Sequence, residues 1–187
     1  MLVAVFLLVG GTAAYALPLQ GDSLTNAQAR GAGGTSFSGY QTHYEFKADE
    51  LGGEFQTSFC VDPRRLINNN STWTIDYNFT GVDVTAAQLG AYYFSGAGLL
   101  YSRSAFQVAI WSLYNPTIGA NHRNFLNVAA LLDDNAWKNL STSGFAIARS
   151  TLGQDQLVQV PEPGTMLLLG TGLIGLAAFG RRKFAKT

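Results

Sequence analysis

The stretch that most restricts this 187-residue chain is its end. Pro163 to Gly180 is a run of eighteen residues without a charge, preceded by Pro161-Glu162 and followed by Arg181-Arg182-Lys183. As a helix such a run would be roughly 27 Å long, close to the ~30 Å hydrocarbon thickness of a bilayer. Glycines within it, Gly170, Gly172, Gly175 and Gly180 among them, are costly in a soluble helix but common in membrane spans. The basic triplet is expected to stay cytoplasmic as a stop-transfer signal, with the preceding chain outside. Pro161 and Pro163 disfavour helix before the span and make an extended linker. The fold must therefore be built from what precedes Gln159.

The other end has a processing signal too. Leu2 to Val9 is apolar, and small residues lead to Ala14-Tyr15-Ala16. That is the A-x-A pattern of an export cleavage site, so residues 1–16 read as a signal peptide with mature chain from Leu17. No Lys or Arg precedes the apolar core, which leaves open whether Met1 is the true start.

Between Leu17 and Val160 there are eight basic and eleven acidic residues, a balance of −3. With no basic patch, a nucleic-acid partner is disfavoured. The single cysteine, Cys60, allows no internal disulfide.

The apolar pattern of the body changes period along the chain. Tyr40 to Ala48, Glu54 to Val61 and Trp73 to Phe79 alternate as strands. "DVTAAQLGAYYFSG", "SRSAFQVAIWSLYNP" and "NHRNFLNVAALLDDNAWKNL" read as helices. The expected caps are Asp83 or Thr85 for the first helix and Ser102 or Ser104 for the second. "GFAIARS" and "QDQLVQV" return to strand character. Gly31 to Gly39 reads as a loop or strand lead-in. The expected fold is α+β: an antiparallel sandwich or barrel-like sheet with an inserted three-helix segment over residues 17–158. A signal helix would precede it. A sorting segment over 159–183 would follow, with its span at 164–180 and a cytoplasmic tail at 184–187.

Chemistry of turnover is not indicated. His43 and His122 stand in unrelated contexts, and there is no nucleophile elbow, zinc spacing or phosphate loop. No enzyme activity, cofactor or metal is expected. Asp49-Glu50 reads as a polar turn and Asp133-Asp134 as a solvated helix face. The strand face Thr72, Thr74, Asp76 and Asn78 invites a carbohydrate- or ice-binding reading, although a flat threonine array is not evident.

The second helix is different. Ala105, Phe106, Val108, Ala109, Ile110, Trp111, Leu113 and Tyr114 make it apolar nearly all round, so it is expected to be buried. Gln107 is then a buried amide, which costs about 2 kcal/mol or more without a partner. That partner is backbone, a hydroxyl, or something more specific.

Two resemblances sharpen the reading. Pro161-Glu162-Pro163-Gly164, the short Leu/Gly-rich span and Arg181-Arg182-Lys183 resemble the PEP-CTERM sorting domain. That resemblance implies a Gram-negative-type bacterium, export across the inner membrane by the Sec machinery, and a transient anchor there. It also implies recognition by an exosortase and delivery to the cell surface or exopolysaccharide matrix. "SFCVD" and "FQVAIW" resemble the two signature motifs of bacterial thioester domains. There a strand cysteine and a helix glutamine join as an internal thioester. Carried over, these are Cys60 and Gln107, with Phe59, Phe106 and Trp111 as an apolar shell. The residue before the glutamine is Phe106, where that family often has threonine. The 47-residue separation is also short for the family. The resemblance implies a surface adhesin capturing a nucleophile from a surface protein or exopolysaccharide. The alternative is a non-covalent structural matrix or carbohydrate-binding protein with Cys60 as a core thiol.

Overall fold

Six strands form one antiparallel sheet in the order β1-β2-β3-β6-β5-β4, and the helices are inserted between β4 and β5. The computed structural model describes residues 18–160 except 35, 36, 38, 39, 64 and 119–124. All belong to one compact unit, Leu17–Pro161. The strands are β1 (Gln28–Gly31), β2 (Tyr44–Lys47), β3 (Gln56–Cys60), β4 (Trp73–Asp76), β5 (Phe145–Ser150) and β6 (Gln156–Gln159). The helices are α1 (Val82–Phe94), α2 (Arg103–Tyr114) and α3 (Val128–Asp133). Among the described residues no helix is long and apolar enough to cross a membrane. The expected signal helix, the span at 164–180, the cleavage residues Ala14 and Ala16 and the sorting triplet lie outside the described residues.

The sheet separates two cores because side chains alternate along each strand. Phe59, Phe145, Ile147 and Leu157 face the helices and join one cluster. Phe46, Trp73, Ile75, Ala146, Ala148 and Val158 build the other. The chain before β1 also reaches the far edge of the sheet. Gly21 N–H donates to Ile75 O at 2.8 Å and Leu24 N–H to Trp73 O at 2.8 Å. Residues 21–31 thus pair first with β4 and then, as β1, with β2. Both open edges are engaged by one segment, which gives the sheet its barrel-like curl.

The helices depart in detail from the sequence reading. α1 has Gly81 at its N-cap, with φ 53°, and no side-chain cap. Asp83 is spent elsewhere, on Arg149 and Tyr114. α2 does begin as expected, with the Ser102 hydroxyl accepting from Ala105 N–H at 3.1 Å. The third helix is shorter than its pattern. Leu126 and Asn127 take left-handed φ values of 46° and 64°, so regular helix starts only at Val128. The residues from Asn121 to Asn124 lie outside the described residues. β1 is a strand the sequence reading did not contain.

Candidate functional site

β2 and β3 part company at one place, and α2 fills the gap. Their last paired residues are Tyr44 and Ser58. Continued antiparallel pairing would set Thr42 opposite Cys60. Thr42 instead turns its hydroxyl to Ser104 at 2.7 Å, on the first turn of α2. On the other side, Val61 N–H donates to Asp155 O at 3.1 Å. Alternation along the strand therefore aims the N–H and C=O of Cys60 away from β6, into the place β2 has left.

Gln107 occupies that place. Cys60 N–H donates to Gln107 Oε1 at 3.0 Å, and Gln107 Nε2 donates to Cys60 O at 2.7 Å. The carboxamide acts as a single peptide unit added to the edge of β3. Both residues are fully buried, as are Phe59, Phe106 and Trp111. Cys60, Phe59, Phe106 and Trp111 belong to one buried cluster, and Gln107 joins it through its two hydrogen bonds to Cys60. The amide's hydrogen-bond partner is the cysteine's main chain.

The shell is aromatic. Phe106 packs against Tyr92, Tyr93 and Tyr101, with ring centroids 6.0, 5.4 and 6.3 Å away. Trp111 meets Phe37, Tyr40 and Tyr44 at 6.1, 6.1 and 6.2 Å. Such rings exclude water and leave little polar compensation for a charge.

The Cys60 thiol donates to Asp62 O at 3.4 Å. Burial pushes its pKa up to about 12, against the downward pull of the Trp111 indole and the Asp62 backbone. Asp62 and Asp155 add a smaller upward push. Trp111 Nε1 is buried, and no acceptor meets hydrogen-bond geometry with it. The side chain of Gln156, the cross-strand neighbour of Cys60, accepts from Ser58 Oγ at 3.0 Å. Tyr44 hydroxyl ionisation is also suppressed, first by burial and then by the nearby cysteine.

Other candidates resolve into structure. Asp76 and Thr72 are committed to internal contacts: Asp76 to Arg149 and Gln20, Thr72 to Thr151. Glu50 accepts from Thr25 N–H and Oγ1, and Asp134 accepts from Tyr92 OH at 3.0 Å. Neither acidic pair is merely solvated. His43 lies 3.3 Å from Ser104 Oγ, and burial and Arg103 lower its pKa. His122 is outside the described residues. Among the described residues no group of three or more His, Cys, Asp or Glu is placed to hold a metal.

Sequence reasoning missed a second polar centre. Arg149 on β5 reaches Asp76 at 3.0 Å, Asp83 at 2.7 Å and Asp155 at 3.2 Å. Tyr114 OH donates to Asp83, so one arginine ties β4, α1, α2 and the β5–β6 turn together. These carboxylates lie up to 79 residues apart in sequence, and no local pattern links them.

Residues 159–183 match the PEP-CTERM protein-sorting motif. The motif implies export, processing by an exosortase, a membrane-associated C-terminal sorting signal and a surface or extracellular fate. Comparison with curated proteins and with solved structures returned no match.

Proposed function

We propose that the exported body is an adhesin-like module in which Cys60 and Gln107 condense to an internal thioester for covalent capture of a partner nucleophile. The observation that carries this reading is the two-point seating of the Gln107 carboxamide on the Cys60 main chain, at 3.0 and 2.7 Å. Reaction between a thiol and an amide needs enforced proximity in a dry site. Seating the amide on the cysteine's own backbone supplies the first, and the aromatic shell supplies the second.

The hydrogen bonds also fit the chemistry. Cys60 sulfur adds to Gln107 Cδ, the C–N bond breaks, and ammonia leaves carrying the thiol hydrogen. The oxyanion that develops on Oε1 is already met by Cys60 N–H, in the manner of an oxyanion hole. An amine or sugar hydroxyl from a surface protein or exopolysaccharide then attacks Cδ. It forms an amide or ester to Gln107 and frees the Cys60 thiol. The event is a single capture without turnover.

A second reading has its own support. Both polar ends of the Gln107 amide are satisfied by main chain, so the amide also serves as a cap on the buried edge of β3 that β2 leaves unpaired. In that case the domain is a non-covalent matrix or binding module. Intact mass of the purified 17–160 body separates the two. The thioester lowers it by about 17 Da, the ammonia expelled on condensation. Cys60→Ala and Gln107→Ala should each abolish the deficit. Full mass, with a thiol that alkylates on unfolding, would leave the edge cap alone.

A further inference from the structure

We propose that the aromatic pocket at the α1–α2 loop is a binding site for a neutral sugar ring. Thr57 of β3, Tyr93 and Phe94 at the end of α1, and Leu99 and Tyr101 of the loop line it. Its volume is about 360 Å³, within the ~300–1,000 Å³ range of small-molecule sites. The site stands whether or not Cys60 and Gln107 condense.

The pocket is built on a fixed wall. The Tyr93 ring lies 5.3 Å from Phe59, 5.4 Å from Phe106 and 5.1 Å from Phe94 between centroids. Phe59 and Phe106 are fully buried, and they precede Cys60 and Gln107 in the chain. The pocket therefore backs onto the shell of the Cys60–Gln107 pair. Gly98 lets the loop lie against the Phe106 ring, and Leu99 is left 85% exposed at the pocket's rim. A wall already held by packing loses little freedom when a ligand arrives.

The lining chemistry selects the occupant. None of the seven lining residues is charged. The carboxylates placed beside them are committed elsewhere. Glu45, opposite Thr57 in the sheet, pairs with Arg30 at 2.6 Å. Asp134, which acts on Tyr101, accepts from Tyr92 OH at 3.0 Å and Ala136 N–H at 2.9 Å. A lysine amine would bring a charge with no partner, at a desolvation cost. A purely apolar side chain would meet the rings but not the hydroxyls of Thr57 and Tyr93. No hydrogen bond among the described residues uses either hydroxyl. A pyranose matches both parts. Its C–H face packs on an aromatic ring, and its hydroxyl rim donates to and accepts from the two side-chain hydroxyls.

The test titrates the purified 17–160 body with neutral methyl glycosides of glucose, mannose and galactose. Backbone amide shifts are followed by NMR, with the N-acetyl methylamides of lysine and leucine as comparison probes. At least one glycoside is expected to bind in the millimolar range, with shifts centred on Thr57 and residues 93–101. Thr57→Val and Tyr93→Phe each remove one hydroxyl at nearly constant shape. Each should weaken binding about 3- to 10-fold, the weight of one neutral hydrogen bond. Absence of glycoside binding, tighter binding of the lysine or leucine probe, or shifts centred elsewhere would overturn the site. Unchanged affinity in both variants would overturn it too. The shift map needs no variant, so it decides the matter if a substitution perturbs folding. Intact mass reports on the thioester and these titrations on the pocket, so either reading can fail alone.

Discussion

Gln107 closes the ladder edge of Cys60: its amide accepts from Cys60 N–H at 3.0 Å and donates to Cys60 O at 2.7 Å, both in a fully buried setting. The pairing makes Gln107 more demanding than Cys60 for stability. Gln107→Leu would strand a buried N–H and a buried C=O, each costing about 1–3 kcal/mol. A loss of about 2–4 kcal/mol is expected, read as a lower denaturant midpoint at unchanged slope. Made in protein that carries a free thiol, Cys60→Ala leaves the amide pair intact and should cost about half as much or less. Equal losses from the two substitutions would mean the amide pair carries no stability of its own.

Arg149 gathers Asp76, Asp83 and Asp155, whose carboxylates would otherwise repel one another. Arg149→Met should cost about 3 kcal/mol, because it leaves the mostly buried Asp83 without its cation. Acid should mimic part of this. Burial raises the Asp76 pKa, but hydrogen bonds from Gln20, Asn78 N–H and Arg149 outweigh it and leave it lowered. A lowered carboxylate pKa stabilises the fold above the unfolded value and loses that contribution as pH falls through the folded one. Stability should therefore drop below about pH 4, the unfolded carboxylate range, and Asp76→Asn should flatten that drop in denaturation midpoints taken between neutral and acid pH.

How far these features were legible depends on the range of the forces behind them. α2 could be read because its signals are local: a Ser102 cap and apolar residues on all sides. β4 could be read from the alternation of Trp73 and Ile75 with Thr74 and Asp76. β1 could not. Gln28-Ala29-Arg30-Gly31 has one buried apolar residue, and it is a strand because β2 pairs with it and Asn69 accepts from Ala29 N–H. The break at Leu126 has no side-chain signature either. Cys60 and Gln107 could be paired through their motifs. That the amide would seat on the cysteine's main chain follows from β2 ending at Tyr44, which is a tertiary fact.

Gly98 has no room for a side chain. A Cβ there would lie 2.6 Å from Phe106 Cζ and 3.2 Å from its Cε2. The Phe106 ring is fully buried among Phe59, Tyr92, Tyr93 and Tyr101 and cannot swing aside. Gly98→Ala should therefore destabilise by about 1–3 kcal/mol, the usual cost of overpacking. Gly96 has nothing within 4 Å of its Cβ position but has φ 74°. Gly96→Ala thus strains only the backbone and should cost about 1 kcal/mol. Thermal midpoints of the two variants give the comparison, and a larger shift for Gly96→Ala would contradict the packing argument.

The Cys60 thiol also gives the protein an alkaline signature that depends on its chemical state. Burial pushes the free thiol from an ordinary value near 9 up to about 12. A raised thiol pKa means that the unfolded chain ionises first. The fold keeps the full benefit below the unfolded value and loses it progressively as pH rises through that window. The loss has a slope of about 1.4 kcal/mol per pH unit from one cysteine. Buried tyrosines such as Tyr44 contribute a similar trend, so the measurement is a difference between wild type and Cys60→Ala. If Cys60 is a free thiol, wild type should lose stability faster than Cys60→Ala above about pH 9, as seen in denaturant midpoints. If Cys60 is held in a thioester it has no proton to lose, and the two proteins should run parallel until the bond hydrolyses. Parallel curves together with full intact mass would instead show that the folded-state thiol ionises as readily as the unfolded one, and that the core around Cys60 admits water.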